Sequence, residues 1–228
     1  MDRGLTLLPA HPRGNHFGQA PAVRLVTVML NNASVRRAVS GAVDPVARGL
    51  LKIGVSPDAV TLVGTLGTSI AALWFFPRQQ WALGFLVILL FVFSDLLDGT
   101  MARLSGRSGP WGAFLDSTLD RVADGALFGG IVLGFTNAGD PWTAGAALAC
   151  LVGGAVVSYA KARAESVGVE CNVGIAERAE RLIIAGVATL LYGLGVPYVL
   201  PVVLWLLAAL TWFTVGQRVL HVRRQLRT

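Results

Sequence analysis

The chain has 228 residues, 54% hydrophobic and 14% charged, with mean hydropathy +0.63. A soluble protein carries about 25% charged residues, so the composition excludes a water-soluble enzyme and indicates an all-α polytopic membrane protein. The net charge of +6 would suit a nucleic-acid binder, but the placement of the charges assigns it to a membrane surface.

Residues 1–28 carry Pro and Gly without periodicity and hold no apolar run of signal-peptide length. They are expected to form a disordered tail, and Met29 is a candidate alternative start. Residues 29–228 are read as one membrane domain. Within it, residues 34–52 predict an amphipathic juxtamembrane helix interrupted near Pro45. Val35, Val39, Val43, Val46 and Leu50 form its apolar stripe, beside Arg36, Arg37, Arg48 and Lys52.

About 20 apolar residues cross a bilayer core. Six segments qualify, near 58–76, 81–103, 112–136, 141–164, 178–195 and 198–219. Pro57 and Pro141 stand at helix starts and Pro77 just past a helix end, as helix boundaries favour. With a cytoplasmic N-terminus, six spans return the C-terminus to the same side. The connections near 77–80, 137–140 and 196–197 then face outward and hold only Arg78 of the chain's 19 basic residues. This positive-inside pattern predicts a plasma-membrane protein with both termini in the cytoplasm. Cys150 and Cys171 make neither a disulfide framework nor a zinc spacing.

The chemistry concentrates between 95 and 120, DLLDGTMARLSGRSGPWGAFLDSTLD. A carboxylate within a membrane-length helix costs roughly 2.5–3.5 kcal/mol on insertion scales. Asp95 and Asp98 are spaced i, i+3 and Asp116 and Asp120 i, i+4, so each pair shares a helix face. The turn-rich connection 104–111 makes the two helices antiparallel neighbours, and all four acids meet just inside the cytoplasmic surface. Four converging carboxylates repel and would take up protons unless hard cations relieve them; all-oxygen ligation selects magnesium, manganese or calcium. Gly99, Ala102 and Gly112 leave space for a ligand beside the acids. Asp124 extends the second stripe by one turn, as a partner of the acids or of an arginine. The alternative is that these acids cap helices or pair with Arg103 and Arg121.

The stretch matches D-x2-D-G-x2-A-R-x8-G-x3-D-x3-D at Asp95, Asp98, Gly99, Ala102, Arg103, Gly112, Asp116 and Asp120. In this it resembles the CDP-alcohol phosphotransferase family, over roughly 30–225. The resemblance implies a membrane core of six spans, a homodimer, and transfer from a CDP-linked lipid to an alcohol with release of CMP. It implies two Mg2+ ions, or Mn2+, on Asp95, Asp98, Asp116 and Asp120, with Asp120 also the base for the attacking hydroxyl. Ser56–Thr61 (SPDAVT) resembles the family's Pro-Asn-x-x-Thr element, with Asp58 where Asn stands. Pro57, Asp58, Thr61, Gly99, Ala102, Arg103 and Gly112 are thus candidate CDP-lipid contacts; Asp58 reads equally as part of a helix cap.

The acceptor is read from a second charged region. Lys161, Arg178, Arg181 and Arg218 lie at cytoplasmic helix ends, and converging cations suit a phosphate monoester. The alternative is positive-inside decoration, with Glu165, Glu177 and Glu180 as surface partners. Arg163 and Arg178 read as loop or ion-pair residues. SY-x-KARAE and ER-x-ER-LII resemble actinobacterial phosphatidylinositol-phosphate synthases, which implies acceptor-phosphate contacts from Ser158, Lys161, Arg181 and Arg218. The substrates implied are CDP-diacylglycerol and 1D-myo-inositol 3-phosphate (L-myo-inositol 1-phosphate). Glycerol 3-phosphate, the acceptor of phosphatidylglycerolphosphate synthase, is the nearest rival, because it is also a phosphate monoester. Serine lacks a phosphate to match the cations. A cation transporter would explain the acids but not the G-x2-A-R element.

Overall fold

A computed structural model describes residues 33–106, 109–175 and 177–227, and their side chains except those of 33–42, 95 and 96. The expectations for residues 1–28 and Met29 lie outside the described residues. Among the described residues every regular element is helical: α1 (Ala33–Lys52), α2 (Pro57–Phe75), a 3-10 turn (Phe76–Arg78), α3 (Trp81–Val92), α4 (Ser94–Leu104), α5 (Pro110–Asn137), α6 (Pro141–Ser166), α7 (Arg178–Gly193) and α8 (Val199–Gln225).

Local chemistry sets the boundaries. Pro57, Pro110 and Pro141 occupy the first turns of α2, α5 and α6, where a missing N–H leaves no hydrogen bond unmade. The Ser56 hydroxyl accepts from the Ala59 N–H at 3.2 Å, so Ser56, not Asp58, caps α2. Asp140 caps α6, accepting from the Thr143 N–H at 3.0 Å and the Thr143 hydroxyl at 2.5 Å. These bonds hold its carboxyl below the usual carboxylate range. Glu177 and Glu180 form a reciprocal capping box on α7, which fixes Arg178 and Arg181 in its first turns.

The expected interruption near Pro45 is not found. α1 runs through Pro45. A proline removes one hydrogen bond, here to the carbonyl of residue 41, and the helix continues past that single loss. The last helix runs to Gln225, beyond the expected end near 219.

Among the described residues, four segments are long and apolar enough to cross a membrane: Pro57–Arg78, Trp81–Leu104, Pro141–Ser166 and Val199–Gln225. The chain is therefore membrane-embedded. The other two expected spans fall short for identifiable reasons. α5 has 28 residues but carries Asp116, Asp120, Arg121 and Asp124, and α7 has only 16 residues.

The helices form one bundle: α2 packs on α5 and α3, α5 on α6, α6 on α8, and α7 on α3 and α8. The core fills the end holding the 77–80 and 137–140 connections. There Trp81 stacks on Phe76 at 5.3 Å and meets Phe135 at 5.1 Å. The Trp81 indole donates to Gln79, whose amide donates to the Gly134 carbonyl at 2.6 Å. Alanines and glycines bring the backbones together: a Cβ at Gly130 would lie 2.6 Å from the Ala72 carbonyl oxygen. At the opposite end a Cβ at Gly64 would overlap the Ser94 hydroxyl. That close approach seats the junction between α3 and α4, from which the acidic motif departs, against α2.

The α2–α5 contact makes a paired prediction. Gly130→Ala should destabilise the protein by about 1–3 kcal/mol through overpacking. Gly129→Ala, with nothing within 4 Å of the added carbon, should be neutral or stabilise by up to about 1 kcal/mol. Thermal unfolding of the two variants in detergent checks this; equal shifts would sink it.

Candidate active site

α4 ends just before Gly106, which takes φ +66°. Asp98 on α4 and Asp116 on α5 lie close enough for their charges to repel, and Asp116 and Asp120 repel likewise. Asp95 sits on α4, but its side chain lies outside the described residues. The Thr61 hydroxyl of α2 donates to Asp98 Oδ2 at 2.6 Å. The Pro-x-x-x-Thr element and the acidic motif thus meet in space. Among the described residues, nothing beyond the local helix backbone and chain neighbours comes within 4 Å of where a side chain would begin at Gly99 or Gly112. Pro57 is buried and Ala102 half-buried. Asp58 accepts from the Trp111 indole N–H at 3.0 Å, tying the start of α2 to the start of α5. Arg103 donates to the Thr100 hydroxyl at 3.0 Å.

A cavity of about 430 Å³ opens between α2, α3, α5 and α7. Asp116, Asp120, Asp124 and Arg178 line its polar end, and residues such as Phe85, Ile88, Leu89, Leu182 and Ile183 line the rest. A charged mouth on an apolar body suits an amphiphile: an anionic head at the acids and arginines, and hydrocarbon below.

The basic side is built on α5, α6 and α7. Arg178 pairs with Asp120 at 2.9 Å and with Asp124 at 3.1 Å. Arg121 lies 3.5 Å from Asp124 and donates to the Ser158 hydroxyl of α6. Arg181 is only 2% exposed and packs against Gly154. Its Nε and Nη1 have no hydrogen-bond partner among the described residues. They border a void of about 30 Å³ shared with Arg121, Asp124, Cys150 and Gly154. A buried guanidinium is costly without partners, so donors left over here point to an anionic ligand or water.

Of the expected acceptor residues, Arg181 shares the void with Asp124, and Ser158 is linked to Asp124 through Arg121. Lys161 pairs with Glu165 at 4.0 Å and is about half exposed. Arg218 is buried and donates to the carbonyls of Val157 at 2.6 Å and Val173 at 2.9 Å, straddling α6 and the loop that follows it. Arg178 does form ion pairs as expected, but within the acid cluster. The sequence reading missed Arg121 as a link to Ser158 and Trp111 as the partner of Asp58. Arg121 had a signal, adjacent to Asp120 and three residues before Asp124; the Trp111 contact, 53 positions along the chain, had none.

Among the described residues no three acidic, histidine or cysteine side chains gather closely enough to hold a metal ion; the side chain of the fourth motif acid, Asp95, lies outside them. A family model described as CDP-alcohol phosphatidyltransferase matches residues 54–215. The chain belongs to that family. As a CDP-alcohol phosphatidyltransferase it is an enzyme, a membrane-embedded transferase. It is 48% identical to the phosphatidylinositol phosphate synthase of Streptomyces avermitilis over 216 residues, covering 91% of this chain and 88% of the relative. It is 45% identical to that of Cutibacterium acnes, covering 79% and 92%. The crystal structure of Mycobacterium tuberculosis phosphatidylinositol phosphate synthase with CDP-DAG bound superposes with TM-score 0.74 at 41% identity, covering 78% of this chain and 92% of that one. The same enzyme in complex with manganese and citrate gives 0.73 at 40% identity, covering 78% and 87%.

An unpartnered buried arginine kept for a ligand should not be needed for folding. Arg181→Met is expected to leave thermal stability unchanged or to raise it, by up to about 4 kcal/mol. A clear fall in the unfolding temperature would make Arg181 a structural residue.

Proposed function

We propose that this enzyme transfers the phosphatidyl group of CDP-diacylglycerol to 1D-myo-inositol 3-phosphate (L-myo-inositol 1-phosphate), giving phosphatidylinositol phosphate and CMP. The observation that carries the reading is that Arg178 joins the motif acid Asp120 to Asp124, which shares a small void with the buried Arg181, two of whose nitrogens lack a hydrogen-bond partner among the described residues. The names of the relatives support the choice of donor and acceptor.

Each residue has a task in this reading. CDP-diacylglycerol lays its acyl chains along the apolar part of the cavity and its head at the acids, with Pro57, Asp58, Thr61, Gly99, Ala102, Arg103 and Gly112 around the nucleotide. Asp98, Asp116 and Asp120, with Asp95 as the fourth motif acid, would hold divalent cations, two Mg2+ or Mn2+, which neutralise the pyrophosphate and favour departure of CMP. Ser158, Lys161 and Arg181 hold the acceptor's phosphate, and Arg218 borders that pocket through its hold on Val157. An acceptor hydroxyl attacks the lipid-side phosphorus. The bond from that phosphorus to the bridging oxygen of CMP breaks, and Asp120 takes the hydroxyl proton.

The wider arrangement follows from the same reading. α5 and α7 complete a six-span domain over residues 29–228, with α1 along the membrane surface. The enzyme sits in the plasma membrane as a homodimer, with both termini and the site facing the cytoplasm. Supporting this, α5 is long enough to cross, and the sole outward basic residue, Arg78, folds back over Trp74 at 3.7 Å.

CMP release by purified protein with CDP-diacylglycerol and magnesium tests the proposal. The acceptors compared are inositol 1-phosphate, glycerol 3-phosphate, free inositol and serine. Inositol 1-phosphate should be preferred, a chelator should stop release, and Asp120→Asn should abolish turnover while keeping part of the CDP-lipid binding. Preference for glycerol 3-phosphate would overturn the acceptor; no release with any of them would overturn the function.

A further inference from the structure

Asp124 is one turn beyond the last motif acid and only 8% exposed. Three guanidinium groups surround it. Arg178 places Nε 3.1 and 3.3 Å from its two oxygens and Nη2 3.1 Å from Oδ1. Arg121 places Nη2 3.5 Å from Oδ2. Arg181 shares the small void with Asp124 and feels its charge together with those of Arg121 and Arg178.

Two of these arginines use their remaining donors elsewhere. Arg178 reaches Asp120 through Nη1 at 2.9 Å. Arg121 reaches the Ser158 hydroxyl through its own Nη1. Arg178 thus links Asp124 to Asp120, and Arg121 links it to Ser158, whose hydroxyl donates to the carbonyl of Gly154, the residue against which Arg181 packs. A forked guanidinium clamped at one edge by a carboxylate has its other edge fixed in direction.

We propose that Asp124 is a positioning residue for this reaction: one buried carboxylate aims Arg178 at Asp120 and Arg121 at Ser158, joining the proton-accepting side of the site to the acceptor-phosphate side. The proposal rests on the function proposed above. Without the carboxylate, three arginines repel within one low-dielectric pocket, and both distant contacts lose their direction. Small misplacements of this kind cost up to about a hundredfold in rate.

The test is Asp124→Asn, which keeps the side chain's size and removes its charge. Purified variant and wild type are compared for unfolding temperature, CDP-diacylglycerol binding, and kcat and KM for the acceptor. The expected result is a folded variant that binds CDP-lipid within about twofold of wild type, with acceptor KM raised and kcat lowered by about tenfold or more each. Adding Arg178→Gln to Asp124→Asn should bring little further loss in kcat, because the two act as a unit. If Asp124→Asn does not fold, Asp124→Glu keeps the charge but displaces it, and should fold with the same pair of kinetic defects. Wild-type kinetics in the folded variant would overturn the positioning role, as would kcat falling only in step with the folded fraction, or fully additive losses in the double variant. Failure of the wild type to release CMP would instead overturn the function on which the proposal rests.

Discussion

Carboxylates set within apolar helices must find compensation. Asp98, Asp116 and Asp120 lie close enough to repel across α4 and α5. A hydroxyl from α2 donates to Asp98, and arginines from α5 and α7 approach Asp120. A carboxylate cluster of this kind is an unfavourable structural element, which the proposed cations would relieve.

The fold divides its labour by end. Around the 77–80 and 137–140 connections, Phe76, Trp81, Phe135 and Tyr192 lock the helices in an aromatic cluster, and glycines bring α2 and α5 into backbone contact. At the other end the helices part around a cavity whose mouth is charged and whose body is apolar. Rigid packing at one end fixes the directions from which side chains enter the site at the other. This suits a substrate with hydrocarbon tails and an anionic head.

The acidic motif was legible because its spacings, i, i+3 and i, i+4, fix helix faces without reference to the rest of the chain. The helices themselves were legible from apolar runs bounded by Pro57 and Pro141. Other features depend on contacts between distant positions. That Arg178 turns onto Asp120 and Asp124 follows from the seating of α7 beside α5, which its own segment does not encode. That Arg218 grips the carbonyls of Val157 and Val173 depends on main-chain atoms, for which side-chain patterns carry no signal. Pro45 misled because proline often breaks a helix, whereas α1 runs on through it. Two expected spans miss the criteria of a membrane helix for different reasons: α5 carries the acids, and α7, which starts at Arg178 as expected behind a capping box, has only 16 residues.

The central claim is that the acids of α4 and α5 form a divalent-metal site at the polar end of the cavity. Manganese binding in the presence of CDP-diacylglycerol, followed by electron paramagnetic resonance on purified wild type and Asp116→Asn, addresses it most directly. Saturable binding in the wild type that is lost or weakened by about tenfold or more in the variant is the predicted result. Equal binding by both proteins, or none by the wild type, would contradict it.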